Sequence, residues 1–332
     1  MAKLGEVCDI LNGYAFKSNQ YTTSGVRIIR ISNVQKGYIE DKSPVYYPCD
    51  DENVKKYELK QNDLLISLTG NVGRTALLEE KFLPAALNQR VSCIRLKEPD
   101  KVLKTYLFHL LNSDYFEQQC MKAAEGVAQK NLSPKWLFEY KIPIYSIERQ
   151  KEISNTLDKI DLLIILRKQQ LAKLDELVKA RFVEMFGDPI GNTKNLPVTK
   201  FVDVVKMQRG FDLPVQERKS DGMIPVYGSN GVLGYHDISK VKGGGVITGR
   251  SGTIGKVFYE KEEFWPLNTT LFSLNSHGND VVYLKYLLEL FDLSRFTEGT
   301  GVPTLNRNKF HDELIIDVPL DEQERFAAFV ER

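Results

Sequence analysis

Between Ile147 and Phe186 the chain has neither glycine nor proline, and apolar residues recur with a 4-3 spacing. The series runs through Ile153, Leu157, Ile160, Ile164, Arg167, Leu171, Leu174, Val178, Arg181 and Met185. Only the two arginines break it, so it is the narrow seam of a helix that pairs with another helix rather than the broad face of a core helix. Ser146 suits the N-cap and Glu148 the first turn. Gly187 followed by Asp188-Pro189 is a stop. A helix of this length would span roughly 60 Å at ~1.5 Å per residue.

On either side the pattern changes to short runs bounded by turn residues. The stretches 26–31, 64–68 and 91–96 are rich in β-branched or alternating apolar residues and predict strands, as do 222–227, 245–248 and 270–274. Helical patterns follow at 101–122 and 280–292. The expected class is α+β: two similar mixed domains, strands first and a helix later, joined by a long coiled-coil-type helix. The expected boundaries are 1–146, 147–187 for the central helix, 188–319, and 320–332 for the start of a second helix. There, Asp321-Glu322-Gln323-Glu324 resembles a capping box, and Phe326, Phe329 and Val330 begin an apolar pattern that stops at Arg332. A distal helix cut after about two turns is the expectation.

The two domains repeat one another. Leu4-Gly5-Glu6-Val7 returns as Phe201-Val202-Asp203-Val204, and Gly13, Gly25 and Ser32-Asn33 return as Gly210, Gly222 and Ser229-Asn230, all at one constant offset. Further on, Gly70-Asn71-Val72-Gly73-Arg74 matches Gly252-Thr253-Ile254-Gly255-Lys256. Leu87-Asn88 matches Leu267-Asn268, Gly126-Val127 matches Gly301-Val302, and Ile142-Pro143 matches Val318-Pro319. The order is the same in both halves. So long a period is a duplicated domain and not a solenoid unit.

Composition adds bounds. The chain has 332 residues and a net charge of +1, which argues against a uniformly basic nucleic-acid coat while leaving room for local patches. No apolar run approaches a membrane span and the N-terminus shows no signal-peptide pattern, so a cytoplasmic protein is expected. The four cysteines, Cys8, Cys49, Cys93 and Cys120, form no metal or disulfide spacing and read as buried free thiols. The four histidines also lack metal spacing. Of these, His236 is expected in a loop facing a ligand.

The glycine-rich stretch 243–256 fails as a nucleotide loop. Arg250 stands where a Walker loop needs its first glycine, and Val257 where it needs Ser or Thr. Val257-Phe258-Tyr259 reads as strand where a Rossmann loop needs a helix. The remaining reading is a strand–turn–strand with a basic residue at its exit, Lys256 here and Arg74 in the first half, where an ordinary hairpin and a ligand-facing turn both fit. No methyltransferase, helicase or nuclease signature appears. The informative residues are basic and amide side chains around the turns, since Arg and Lys suit guanine and phosphate and Asn and Gln suit adenine. They are Lys17, Arg27, Arg30, Asn33, Lys36, Arg74, Gln89, Arg90 and Lys130 in the first half, and Arg209, Asn230, His236, Arg250, Lys256 and Arg307 in the second. Asn33 and Asn230 recur, so a turn-forming role is equally open.

Taken together, the opening Leu4-Gly5-Glu6-Val7, the paired Gly-x-x-Gly-basic turns, the Ile142-Pro143 and Val318-Pro319 pairs, and the Gln-bearing helix starts at Glu148-Arg149-Gln150 and Glu322-Gln323-Glu324 make the chain resemble the specificity subunits of type I restriction–modification enzymes. The resemblance covers essentially the whole chain. It implies two target-recognition domains reading a bipartite duplex DNA sequence, and spacer helices that act as a ruler and dock methyltransferase subunits. In this chain Ile153, Leu157, Ile160, Ile164, Leu171, Leu174 and Val178 would form that docking surface. It also implies that this chain is not an enzyme and binds no cofactor or metal. S-adenosylmethionine, ATP and magnesium would belong to the methyltransferase and restriction subunits. The alternatives are a truncated or decoy subunit acting mainly through self-association by the spacer helix, and an enzyme with a site in the glycine-rich turn.

Overall fold

The computed structural model describes residues 1–124, 130–219, 221–299 and 303–332. The repeat Gly126-Val127/Gly301-Val302 lies outside them. The chain divides into two compact units, Met1–Leu166 and Arg167–Arg332.

In the first unit the central sheet contains β1 (Cys8–Asn12), β3 (Leu64–Ser67), β4 (Thr75–Leu77) and β6 (Val91–Leu96), in the order β1-β6-β3-β4 and antiparallel throughout. A second sheet pairs β2 (Val26–Ile29) with β5 (Ala85–Leu87) in parallel, flanked by Tyr46–Tyr47 and Glu58–Leu59. Strand β3 is buried along its whole length, which is why it reads as a continuous apolar run rather than an alternation. Helix α1 (Lys104–Leu111) packs with Leu4, Ile66, Ile94, Phe116 and Leu137 in one apolar core. The predicted helix over 101–122 is two helices. The chain breaks at Asn112-Ser113, and the Ser113 hydroxyl caps a new helix, Asp114–Ala123.

Helix α2 is continuous from Ile147 to Phe186. Ser146 Oγ accepts from Arg149 N at 3.3 Å, and Gly187 ends the helix in the left-handed region at φ 76°, where glycine carries no Cβ penalty.

In the second unit β7 (Lys206–Arg209), β9 (Gly245–Gly249), β10 (Val257–Glu260) and β12 (Thr270–Asn275) form the order β7-β12-β9-β10. This is the first unit's order. Strands β8 (Ile224–Gly228) and β11 (Trp265–Pro266) pair in parallel, as β2 and β5 do. The smaller motifs repeat as well. Tyr14 bridges Asn88 where Phe211 bridges Leu267, and Thr69 bridges Asn131 where Ser251 bridges Thr304. The repeated glycines have a steric reason. A Cβ on Gly13 would lie 2.3 Å from Asn88 O, and one on Gly210 would lie 2.2 Å from Leu267 O. Helix α3 (Val281–Leu290) and helix α4 (Leu320–Val330) close the core with the end of α2. Phe182 and Phe186, which are off the 4-3 seam, pack there with Tyr283 and Phe326, Phe182 stacked on Tyr283 and the other ring pairs edge-on. Helix α4 starts at Leu320 with Pro319 as an N-cap that has no side-chain bond, so the capping box expected at Asp321 is absent.

The glutamines of the two helix starts are buried staples. Gln150 Oε1 accepts from Leu103 N at 2.8 Å, and its Nε2 donates to Lys101 O and Tyr145 O. Gln323 Oε1 accepts from Asp280 N at 3.0 Å, and its Nε2 donates to Asn279 Oδ1 and Val318 O. In each unit the amide joins the N-cap residue of the core helix to the carbonyl five residues before the glutamine. An unsatisfied buried partner costs ~1–3 kcal/mol, and truncation would strand several. Gln323→Ala is therefore expected to lower stability by roughly 3 kcal/mol in urea unfolding. A loss below about 0.5 kcal/mol, the ordinary surface value, would contradict the staple.

Candidate nucleic-acid interface

The second unit gathers three of the six residues predicted for it. Arg209 ends β7, opposite Leu271 of β12. Arg250 follows β9; its N–H donates to Thr269 O at 2.8 Å and its carbonyl accepts from Leu305 N at 2.7 Å. Arg307 opens the short helix Arg307–Phe310, where Asn306 Oδ1 caps Asn308 N. Together they line one cleft of about 350 Å³ with Leu271, Glu298, Thr304, Leu305, Asn306 and Asn308. Glu298 pairs with Lys309 at 2.5 Å. The bond to Lys309 and a second to Asn306 hold its carboxyl below the usual range, so it is anionic at neutral pH. Glu298 and Asn306 carried no distinguishing sequence pattern. An N-cap amide before Arg307 was the one available signal for Asn306.

The other three predicted residues lie elsewhere. Lys256 Nζ donates to Asn230 Oδ1 at 3.0 Å on the exposed turn beside β10. His236 is not in a ligand-facing loop. It ends the strand Gly231–His236, is buried, and meets Trp265 edge-on at 5.2 Å.

In the first unit the same sheet edge carries Gln89, Arg90 and Lys130. Gln89 N donates to Tyr14 O, Arg90 O accepts from Leu68 N, and Lys130 O accepts from Gly70 N. Lys17 follows on the segment that begins at Tyr14. All four side chains are exposed. Five other candidates are already bound within the fold. Arg27 forms an ion pair with Asp41 and lies over Tyr46 and Phe82 at 5.2 and 5.7 Å. Arg30 donates to Ser43 O at 2.7 Å. Asn33 accepts from Arg30 N and donates to Glu40 O and Asp41 Oδ1, the turn-forming role of the two considered. Lys36 pairs with Asp114 and Glu117. Arg74 donates to Gln35 Oε1 at 2.6 Å. Sequence alone could not separate the paired cations from the free ones, because the partners lie up to 81 residues away.

The hairpin β9–β10 confirms strand–turn–strand for the glycine-rich stretch. Cys8, Cys93 and Cys120 are buried, but Cys49 is exposed, against expectation. Burial pushes the Cys8 and Cys120 thiols up to about 12. On α2, Ile153 and Val178 pack against the cores, while Leu157, Ile160, Ile164, Leu171 and Leu174 are 36% to 67% exposed. No helix among the described residues is long and apolar enough to cross a membrane.

Two copies of one sheet-and-helix scaffold, each presenting different polar and basic side chains at one edge, define a duplicated recognition protein. The chain belongs to the type I restriction modification DNA specificity domain family, whose model matches residues 1–176 and 194–332. It is 32% identical over 186 residues to the MjaVIII specificity subunit of Methanocaldococcus jannaschii, covering 54% of this chain and 43% of that one. It is 29% identical over 178 residues to the EcoBI specificity subunit of Escherichia coli, covering 53% and 35%. These matched stretches thus span less than half of either relative. A longer match, 24% identical over 296 residues, reaches the EcoprrI specificity subunit of Escherichia coli and covers 81% of this chain and 70% of that one. The fold is similar to the crystal structure of a type I restriction–modification S subunit from M. genitalium, with TM-score 0.57 and 15% identity over 99% of this chain and 87% of that one. A structure concerned with assembly and conformational transition of the type I R-M system superposes with TM-score 0.51 over 99% and 88%.

The pairing pattern predicts opposite outcomes for two arginines. Arg27→Ala leaves Asp41, whose side chain is 6% exposed, as a buried unpaired charge and is expected to cost about 3 kcal/mol. Arg209→Ala is expected to change stability by less than about 0.5 kcal/mol. Urea denaturation of both variants checks this.

Proposed function

We propose that the chain is the non-catalytic DNA-reading subunit of a type I restriction–modification assembly, each unit taking one half of a bipartite duplex target. The observation that carries this reading is the cleft of Arg209, Arg250 and Arg307, built on strand ends and a helix start. Guanidinium groups there meet phosphate or guanine with little reorganisation. In the first unit Lys17, Gln89, Arg90 and Lys130 form the corresponding edge. The exposed apolar positions of α2 dock methyltransferase subunits, and a restriction subunit joins that complex. Methyl transfer from S-adenosylmethionine and magnesium-dependent ATP hydrolysis reside on those partners, and the assembly works in the cytoplasm.

The exposed stripe from Leu157 to Leu174 also favours a second reading, in which the chain acts mainly through self-assembly. Sedimentation separates the two. A monomer that forms a complex only with methyltransferase subunits supports docking. A dimer of the purified chain that is lost in Leu171→Glu supports self-pairing.

DNA binding itself is tested by equilibrium selection from random duplexes with methyltransferase subunits present. Phosphate contacts release counterions, so affinity is expected to fall by about tenfold or more between about 50 and 200 mM salt, with one two-part motif enriched. Salt-insensitive binding without an enriched motif would overturn the proposal.

A further inference from the structure

The cleft of the second unit is not uniformly basic, and the one acidic side chain among its described residues narrows what it can hold. Glu298 lines it beside the three arginines and stays ionised through Lys309 and Asn306. A fixed anion repels a phosphate backbone. The major-groove edge of a G·C pair has the matching pattern: guanine O6 and N7 accept, and cytosine N4 donates. We propose that this cleft reads a G·C pair in the half-site taken by the second unit, with arginine donating to guanine and Glu298, whose carboxylate keeps acceptor lone pairs beyond its Oε1 bond to Lys309, accepting from cytosine N4. The proposal rests on the duplex-DNA reading above and specifies the base pair.

The placement of the side chains supports it. Arg209 ends β7 and Arg250 follows β9, and both strands pair with β12. The two arginines thus flank Leu271, which lines the same cleft with Leu305. Among the described residues Arg250 Nη1 makes one long contact, 3.5 Å to Asn268 O, leaving its other donors for a ligand. An adenine reader would need a free amide. Of the two amides lining the cleft, Asn306 is engaged, since its Oδ1 caps Asn308 N; Asn308 is exposed, and it is the set of arginines with a carboxylate that favours a G·C pair over A·T.

The preference belongs to one unit only. In the repeat, Asn12 stands for Arg209, Leu68 for Arg250 and Pro134 for Arg307. Asn12 accepts from Ser92 Oγ at 3.1 Å and Leu68 is buried. The first unit therefore places no cation at any of the three positions, and its half-site carries no counterpart of this G·C requirement.

The test is selection from random duplexes by the full chain with its methyltransferase subunits, repeated with Arg209→Ala, Arg250→Ala and Glu298→Ala. The expected wild-type result is a two-part motif with an invariant G·C pair in one half. Each arginine variant should reduce discrimination at that pair by about tenfold, with the other half-site and the salt slope unchanged. Glu298→Ala should also lose discrimination while binding random duplex more tightly. A two-part motif in which these variants relax no G·C pair would overturn the assignment and leave the DNA reading intact. So would uniform weakening across sequences with a salt slope shallower by about one. Recovery of no motif by the wild type would overturn both. Arg209 is exposed, so its variant carries the test if Arg250→Ala fails to fold.

Discussion

The architecture depends on one buried side-chain amide per unit. Gln150 and Gln323 each satisfy the N-cap residue of the core helix and a carbonyl, Tyr145 O or Val318 O, on the segment leading into the glutamine's own helix. These backbone groups have no partner of their own at a helix start, and in an apolar core they must be satisfied. One glutamine thus ties the start of the core helix to the start of its own helix. Because the same closure recurs, the sheet with the candidate readers is held the same way in both units, whatever side chains stand on its edge.

That common frame separates scaffold from reader. Gly13 and Gly210 stay glycine because a carbonyl occupies the space of a Cβ. Positions with no such constraint diverge: Asn12 against Arg209, Leu68 against Arg250, Pro134 against Arg307. Electrostatics sorts the rest. Arg27 and Lys36 are paired to carboxylates inside their unit, where their charge stabilises the fold. Lys17, Arg90, Lys130 and Arg209 project to solvent. This sorting is compatible with a net charge of only +1, because a few unpaired cations at one edge matter more for an anionic ligand than the total.

Much of this was legible in the sequence. The ends of α2 were fixed by local signals, Ser146 and Gly187, and the strands by their β-branched runs. The repeat itself announced two similar units, because backbone approach at the glycines leaves a mark no substitution can erase. Three things were not legible. Phe182 and Phe186 lie off the seam, since tertiary packing rather than heptad spacing decides the end of α2. His236 looked like a loop residue until its strand and Trp265 were in place. The pairing of Arg27, Arg30, Lys36 and Arg74 depends on partners brought in by folding, as does the gathering of Arg209, Arg250 and Arg307 into one cleft around Glu298.

The central claim is that the unpaired lysines and arginines at the two sheet edges, and not the paired ones, meet DNA. Chemical footprinting of lysine and arginine by mass spectrometry, with and without a selected duplex, measures this directly. Duplex is expected to protect Lys17, Arg90, Lys130, Arg209, Arg250 and Arg307 and to leave Arg27 and Lys36 unchanged. Protection confined to the basic residues of α2, with both edges equally reactive in the free and bound states, would contradict it.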